Sequence, residues 1–212
     1  PPRPPSTPLD INMLSAAGGT LSLAWSSPED NGGSPISNYT AIVCRVNGIA
    51  GSCVRNTTRS ASINTIIIRG LRAKHTYTYQ VAAMSQLGGS LGELSSFLII
   101  EMGDATVPSA PGQLQFDSAT CESLIVRASP LDIYSDGGST PFRYSIRIVK
   151  APSQDLVRLE HIANVSASGI VELKRLSSGE SYTFSIYAEN VAGEGASSVN
   201  SAVEEVALQP CL

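Results

Sequence analysis

Four cysteines, two histidines and a scattered set of arginines are the groups in these 212 residues with chemistry to offer. Cys44, Cys53, Cys121 and Cys211 are even in number and lack any C-x-x-C spacing, which reads as disulfide sulfur rather than a zinc site. Buried free thiols are the other reading of the same count. N-x-S/T acceptors at Asn38, Asn56 and Asn164 agree with an extracellular or cell-surface location. Histidine offers less. His75 and His161 fall one in each half of the chain, so neither a Ser-His-Asp arrangement nor a metal cluster can assemble around them. Gly88-Gly89-Ser90-Leu91-Gly92 is glycine-rich but has no following Lys, so it reads as a hairpin and not a phosphate loop. The expectation is a protein without catalytic residues, metal or cofactor.

Charge is more informative in its distribution than in its sum of −4. Residues 1–104 hold seven Lys or Arg against six Asp or Glu, whereas residues 105–212 hold seven against twelve. No acid occurs between Asp30 and Glu93, while Arg45, Arg55, Arg59, Arg69, Arg72 and Lys74 all fall in that interval. A basic surface follows, able to attract an anionic glycan such as a sulfated polysaccharide, an anionic headgroup or an acidic protein face; an ordinary solvated surface is the plainer reading. The net acidity gives no bias toward nucleic acid. The longest uncharged apolar stretch, Ser95 to Ile100, is far short of the ~20 residues a membrane helix needs, so no membrane insertion is expected of this segment.

The elements that position these groups emerge from internal repetition. Leu71, Tyr77, Tyr79, Val81, Ala83, Ser85 and Gly88 recur as Leu176, Tyr182, Phe184, Ile186, Ala188, Asn190 and Gly193, all displaced by 105. The turn Asn31-Gly32-Gly33 recurs as Asp136-Gly137-Gly138, and Pro5-Ser6-Thr7-Pro8 matches Pro108-Ser109-Ala110-Pro111. Two domains are therefore expected, 1–104 and 105–212, with proline stiffening a short linker. Within each repeat the apolar period is two. Leu21, Leu23 and Trp25 alternate with polar or small residues, as do Tyr39, Ala41 and Val43, and Tyr77, Tyr79, Val81 and Ala83. With charged residues at 15%, 18 Gly and 13 Pro, the chain reads as all-β: two consecutive seven-stranded antiparallel β-sandwiches. The same parity turns Leu124, Val126, Ala128, Phe142, Tyr144, Ile146, Ile148, Phe184 and Ile186 inward in the second repeat.

The pattern of Leu, five residues, Tyr, alternating apolar positions, Ala, and Asn or Ser resembles the corner and sixth strand of fibronectin type III domains, and Trp25 stands where that family carries its second-strand tryptophan. The resemblance implies structural roles for Trp25, Leu71, Tyr77, Leu176 and Tyr182, each tyrosine burying its ring while its hydroxyl bonds upstream backbone. Two positions depart from the family. Ala128 replaces the tryptophan, with Phe142 and Phe184 expected to supply the missing bulk, and Ala73 or Ser178 replaces the usual corner proline. In this topology Cys44 would pair with Cys53, and Cys121 with Cys211. Leu131-Asp132-Ile133 resembles the acidic tripeptides that integrins read in this family. The opening Pro1-Pro2-Arg3-Pro4-Pro5, with no initiator Met, reads as the start of an excised segment. The implied function is a non-catalytic adhesion or receptor ectodomain, a stiff two-domain rod recognising a protein partner or anionic glycan. Alternatives are a spacer in a secreted enzyme and an intracellular cytoskeletal or ciliary scaffold.

Overall fold

The computed structural model describes residues 3–47, 52–86, 91–112, 114–151, 153, 155–162, 169–198 and 206–208. The chain divides into two compact units, Pro1–Ala105 and Thr106–Leu212, against an expected break after residue 104. The first unit contains β1 (Leu9–Ala17), β2 (Thr20–Ser26), β3 (Ile36–Arg45), β4 (Cys53–Thr57), β5 (Thr65–Ile68), β6 (Thr76–Ser85) and β7 (Leu98–Glu101). They form antiparallel sheets ordered β1-β2-β5 and β4-β3-β6-β7. The period of two decides which face is buried. Leu21, Leu23 and Trp25 of β2 share one core with Tyr39, Ala41 and Val43 of β3 and Tyr77, Tyr79, Val81 and Ala83 of β6. Each fully buried large apolar side chain contributes about 1.5–3 kcal/mol, so this alternating set is what closes one sheet on the other.

The second unit repeats the plan with β8 (Gln115–Ala119), β9 (Leu124–Arg127), β10 (Arg143–Ala151), β11 (Asp155–Ile162), β12 (Ile170–Leu173) and β13 (Ser181–Asn190). Its final strand is divided. β14 (Gly193–Glu194) pairs with one end of β13 and β15 (Val206–Ala207) with the other, so the seventh position is filled by two short pieces. Ala128 does occupy the tryptophan position: its amide donates to Gly169 O at 2.7 Å, as that of Trp25 donates to Asn64 O at 3.1 Å. Phe142, however, does not fill the vacated volume and is 52% exposed. It precedes the first residue of β10, so strand parity does not govern it. Phe184, Leu131 and Leu114 pack against the core instead, and the Tyr144 hydroxyl accepts the Leu131 amide at 3.0 Å. In the first unit Tyr39 lies 5.3 Å from Trp25, ring to ring, and its hydroxyl donates to Ser27 Oγ at 3.1 Å.

Two devices hold each sandwich at its ends. Where the chain crosses from β5 to β6, the buried Tyr77 accepts the Arg72 amide at 2.9 Å; between β12 and β13, Tyr182 accepts the Ser177 amide at 2.8 Å. Leu71 and Leu176, both buried, donate their amides to Gly19 O and Glu122 O in the turns between the first two strands of each unit. At the opposite pole the leading segment lies across the loop that follows the second strand. Arg3 and Thr106 donate to Gly32 O and Gly137 O, and Ser6 and Ser109 to Asp30 O and Ser135 O. Residues 106–109 are therefore bonded into the second unit's body rather than serving as a free linker. A Cβ on Gly32 or Gly137 would stand 1.9 or 2.1 Å from a carbonyl oxygen of that segment, and both residues have positive φ.

Asn190 ties this pole together in the second unit. Its buried Nδ2 lies 2.8 Å from Thr106 O, 2.8 Å from Asp136 O and 3.4 Å from Ser139 O, while Oδ1 accepts the Ala192 amide at 2.8 Å. Leading segment, loop and turn thus share one side chain. Asn190→Ala should lower the stability of the second unit by about 2–4 kcal/mol, because several buried partners lose their bonds together. Native-state hydrogen exchange of second-unit core amides measures this, and a change below about 0.5 kcal/mol, the scale of an ordinary surface substitution, would remove Asn190 from that role.

Candidate recognition surface

Sulfur chemistry is settled at one end of the first unit. Cys44 and Cys53 stand directly opposite each other on β3 and β4 and are joined in a disulfide, with Cα atoms 4.1 Å apart. Cys53 is exposed and Cys44 half-buried, so the bridge lies on the outward face of the sheet. Cys121 is also disulfide-bonded, and among the described residues no cysteine is free. Its expected partner, Cys211, lies outside the described residues. Asn56 sits on the edge strand β4, half-buried, with Nδ2 donating to Ile67 O at 3.4 Å. Asn38 is half-buried on β3, a strand with neighbours on both sides, and its Oδ1 accepts from Ser37 Oγ at 3.4 Å. Asn164 lies outside the described residues.

The six basic residues do not form one cluster. Arg45 ends β3 opposite Tyr77, Arg69 follows β5, and Arg72 and Lys74 lie in the corner before β6, which brings these four to one pole of the unit. Arg55 lies midway along β4 opposite Ile42, and Arg59 follows the far end of that strand. The acid-free interval is also less acid-free in space than in sequence. Asp104 comes back beyond β7 to pair with Lys74 at 2.8 Å. That hydrogen bond, with the Asp104 charge, raises the Lys74 pKa above its ordinary value. The pair's contribution is present at neutral pH and lost as pH rises through the Lys74 titration, and solvent screens it because both groups are exposed. Arg45, Arg55, Arg59 and Arg69 have no ion-pair partner among the described residues.

The remaining polar candidates are engaged locally. His75 Nδ1 is 2.8 Å from Ala73 O in the corner, and His161 Nδ1 is 2.9 Å from Ser145 Oγ on the other unit's sheet. Among the described residues no three His, Cys, Asp or Glu side chains converge. Asp132 accepts the Tyr134 amide on Oδ1 at 3.0 Å, and Leu131 packs on the core, so the acidic tripeptide is bound into its own loop. Two surface features escaped sequence reasoning. Phe97 and Ile99, flanking Leu98 of β7, are strongly exposed, a signal present in their alternation with the inward Leu98 and Ile100. On β13 the Tyr187 hydroxyl pKa is lowered, chiefly by a hydrogen bond with Ser185 and further by Arg147 and Ser197.

Replacing Cys44 and Cys53 together by Ser should reduce first-unit stability by up to about 2.7 kcal/mol, the chain-entropy value for a loop of roughly ten residues. Denaturant unfolding followed by Trp25 fluorescence reads this unit alone, since Trp25 is the single tryptophan. An unchanged midpoint would show that the β3–β4 ladder alone holds this end.

Comparison with known proteins places this architecture. Over 202 residues the chain is 29% identical to ephrin type-B receptor 4 of Mus musculus, covering 91% of this chain and 20% of that protein. It is 26% identical over 195 residues to myomesin-2 of Homo sapiens, covering 90% and 13%. The chain thus spans a fifth or less of the length of these relatives. Among solved structures, the two-domain fibronectin type III segment of chicken tenascin matches with a TM-score of 0.43 at 19% identity, over 91% of this chain and 96% of that one. The chicken CNTN1 FN1-FN3 domains match with a TM-score of 0.40 at 18% identity, over 97% and 68%. The family model described as fibronectin type III domain matches residues 4–98 and again 109–204, and the chain belongs to that family as two consecutive domains.

Proposed function

We propose that this pair of domains is a non-catalytic segment of a larger secreted or cell-surface protein, with receptor or adhesion character, that recognises a protein partner or an anionic glycan. The observation that supports the reading is the sulfur chemistry: the Cys44–Cys53 bridge on the outward face of the sheet and a bonded Cys121 favour an oxidising compartment. The resemblance to a protein named as an ephrin receptor supports the receptor character. The residues proposed to meet the ligand are Arg45, Arg55, Arg59 and Arg69, spread between one pole of the first unit, the middle of β4 and its far end, whose charge is not spent on acidic neighbours among the described residues. Such exposed guanidiniums bind sulfate or carboxylate in bidentate fashion. Their field is screened beyond about 8 Å at physiological ionic strength.

The chain should therefore be retained on a heparin column at low salt and released as salt rises, and the triple variant Arg55→Glu, Arg59→Glu, Arg69→Glu should elute much earlier. Equal retention of the variant would remove these arginines from the site, and no retention of the unmodified chain would leave a protein partner as the ligand. Thiol mapping on protein from its native host tests the compartment. Four reduced cysteines there would favour the intracellular scaffold instead. In a glycosylating host, Asn56 on its edge strand should carry glycan in preference to Asn38, read by site-resolved mass spectrometry.

A further inference from the structure

A sheet edge carries unpaired backbone groups, and most edges in this molecule are short or distorted. β5, β7 and β12 have four residues, and β4 and β8 five. β1 is longer, but it carries two register irregularities and a positive φ at Asp10. β11 is different. It spans eight residues at the edge of the sheet β11-β10-β13-β14, with one irregularity, which leaves Val157 without an opposite residue. It also exposes apolar side chains: Leu156 is 56%, Val157 43% and Leu159 45% accessible. Register fixes the two faces. Arg158 and Glu160 stand opposite Ile148 and Ile146 on the core side, with Arg158 Nε 3.0 Å from Glu160 Oε2, whereas Leu159 and His161 stand opposite Arg147 and Ser145 on the outward side.

We propose that β11 is the surface through which two copies of this chain associate, as an antiparallel strand pair centred on Leu159. The argument is charge complementarity. A two-fold axis normal to the sheet keeps like faces together, so the axis must pass through a residue. Centred on Arg158, the pairing sets arginine against arginine; centred on Glu160, glutamate against glutamate. Centred on Leu159, it sets Arg158 against Glu160 of the second copy and Glu160 against Arg158 of the second copy, with Leu159 meeting its own counterpart on the outward face. The charges that would repel in neighbouring registers thus select this one. The pairing is separate from the arginine surface, which lies on the first unit.

Sedimentation equilibrium on the full two-domain chain should show a reversible monomer–dimer equilibrium with a Kd of roughly 10 µM to 1 mM, the weak range suited to one short strand pairing. Arg158→Glu or Glu160→Arg alone should weaken it roughly tenfold, because two pairs change to like charge across the axis, and the double exchange should restore it. In a separate test, Leu159→Cys should form a disulfide-linked dimer on mild oxidation, since directly opposed residues lie about 4.5–5.5 Å apart at Cα, and Leu156→Cys should not. The cross-linking pair keeps the test decisive if a charge variant fails to fold. A chain that stays monomeric at about 1 mM, single charge exchanges without effect, or equal cross-linking at both cysteine positions would overturn the proposal.

Discussion

A two-sheet sandwich requires its chain to leave one sheet and enter the other without stranding backbone amides in an apolar corner. In both units a tyrosine hydroxyl meets that requirement, Tyr77 accepting from Arg72 and Tyr182 from Ser177. The ring carries the bond inward: each tyrosine is buried in the core it helps close, so the hydroxyl cannot move without disturbing the packing around it. Register on β6 and β13 follows from that anchor. Those strands pair along most of their length with β3 and β10, which place Tyr39, Ala41 and Val43, or Tyr144, Ile146 and Ile148, against the opposite sheet. The position of the Cys44–Cys53 bridge, of Arg55 and of β11 descends from the same pairing, because β4 hangs on β3 and β11 on β10.

Electrostatically the two units solve the same surface problem differently. The second couples its cations to neighbouring acids: Arg127 with Asp117, Arg143 with Glu189, Lys150 with Glu180, Arg158 with Glu160 and Lys174 with Glu172. In the first, Arg3 pairs with Asp30 and Lys74 with Asp104, while Arg45, Arg55, Arg59 and Arg69 have no ion-pair partner among the described residues. Exposed pairs are worth about 0–1 kcal/mol each, so leaving Arg45, Arg55, Arg59 and Arg69 without partners costs the fold little. What it changes is the field outside the molecule. Uncompensated guanidiniums remain available to an anionic surface.

The fold was legible because alternation and repetition are both local properties that tertiary packing reinforces. Leu21, Leu23 and Trp25 face the core for the reason their spacing implied. Phe142 was misread because parity holds only inside a paired strand, and that residue lies just before one. The distribution of the basic residues was less legible. Sequence proximity grouped six cations that the strands distribute between one pole, the middle of β4 and its far end, and it could not show Asp104 returning to Lys74 from beyond β7. The bonds of Asn190 Nδ2 were invisible for a related reason: its acceptors lie 51 to 84 residues away and are backbone carbonyls, which carry no residue-type signal.

The leading segments have a consequence for where the modules begin. Thr106 donates to Gly137 and accepts from Asn190, and a Cβ on Gly195 would stand 2.1 Å from Pro108 O, so the backbone ahead of β8 is part of the second unit's interior surface. A cut at the first strand would remove one of the three carbonyls around Asn190 Nδ2 and expose the close glycine faces that the segment covers. Grafting, excision or exon-like exchange of this domain must carry Thr106 with it. The folded unit thus includes a carbonyl contact upstream of its own first strand.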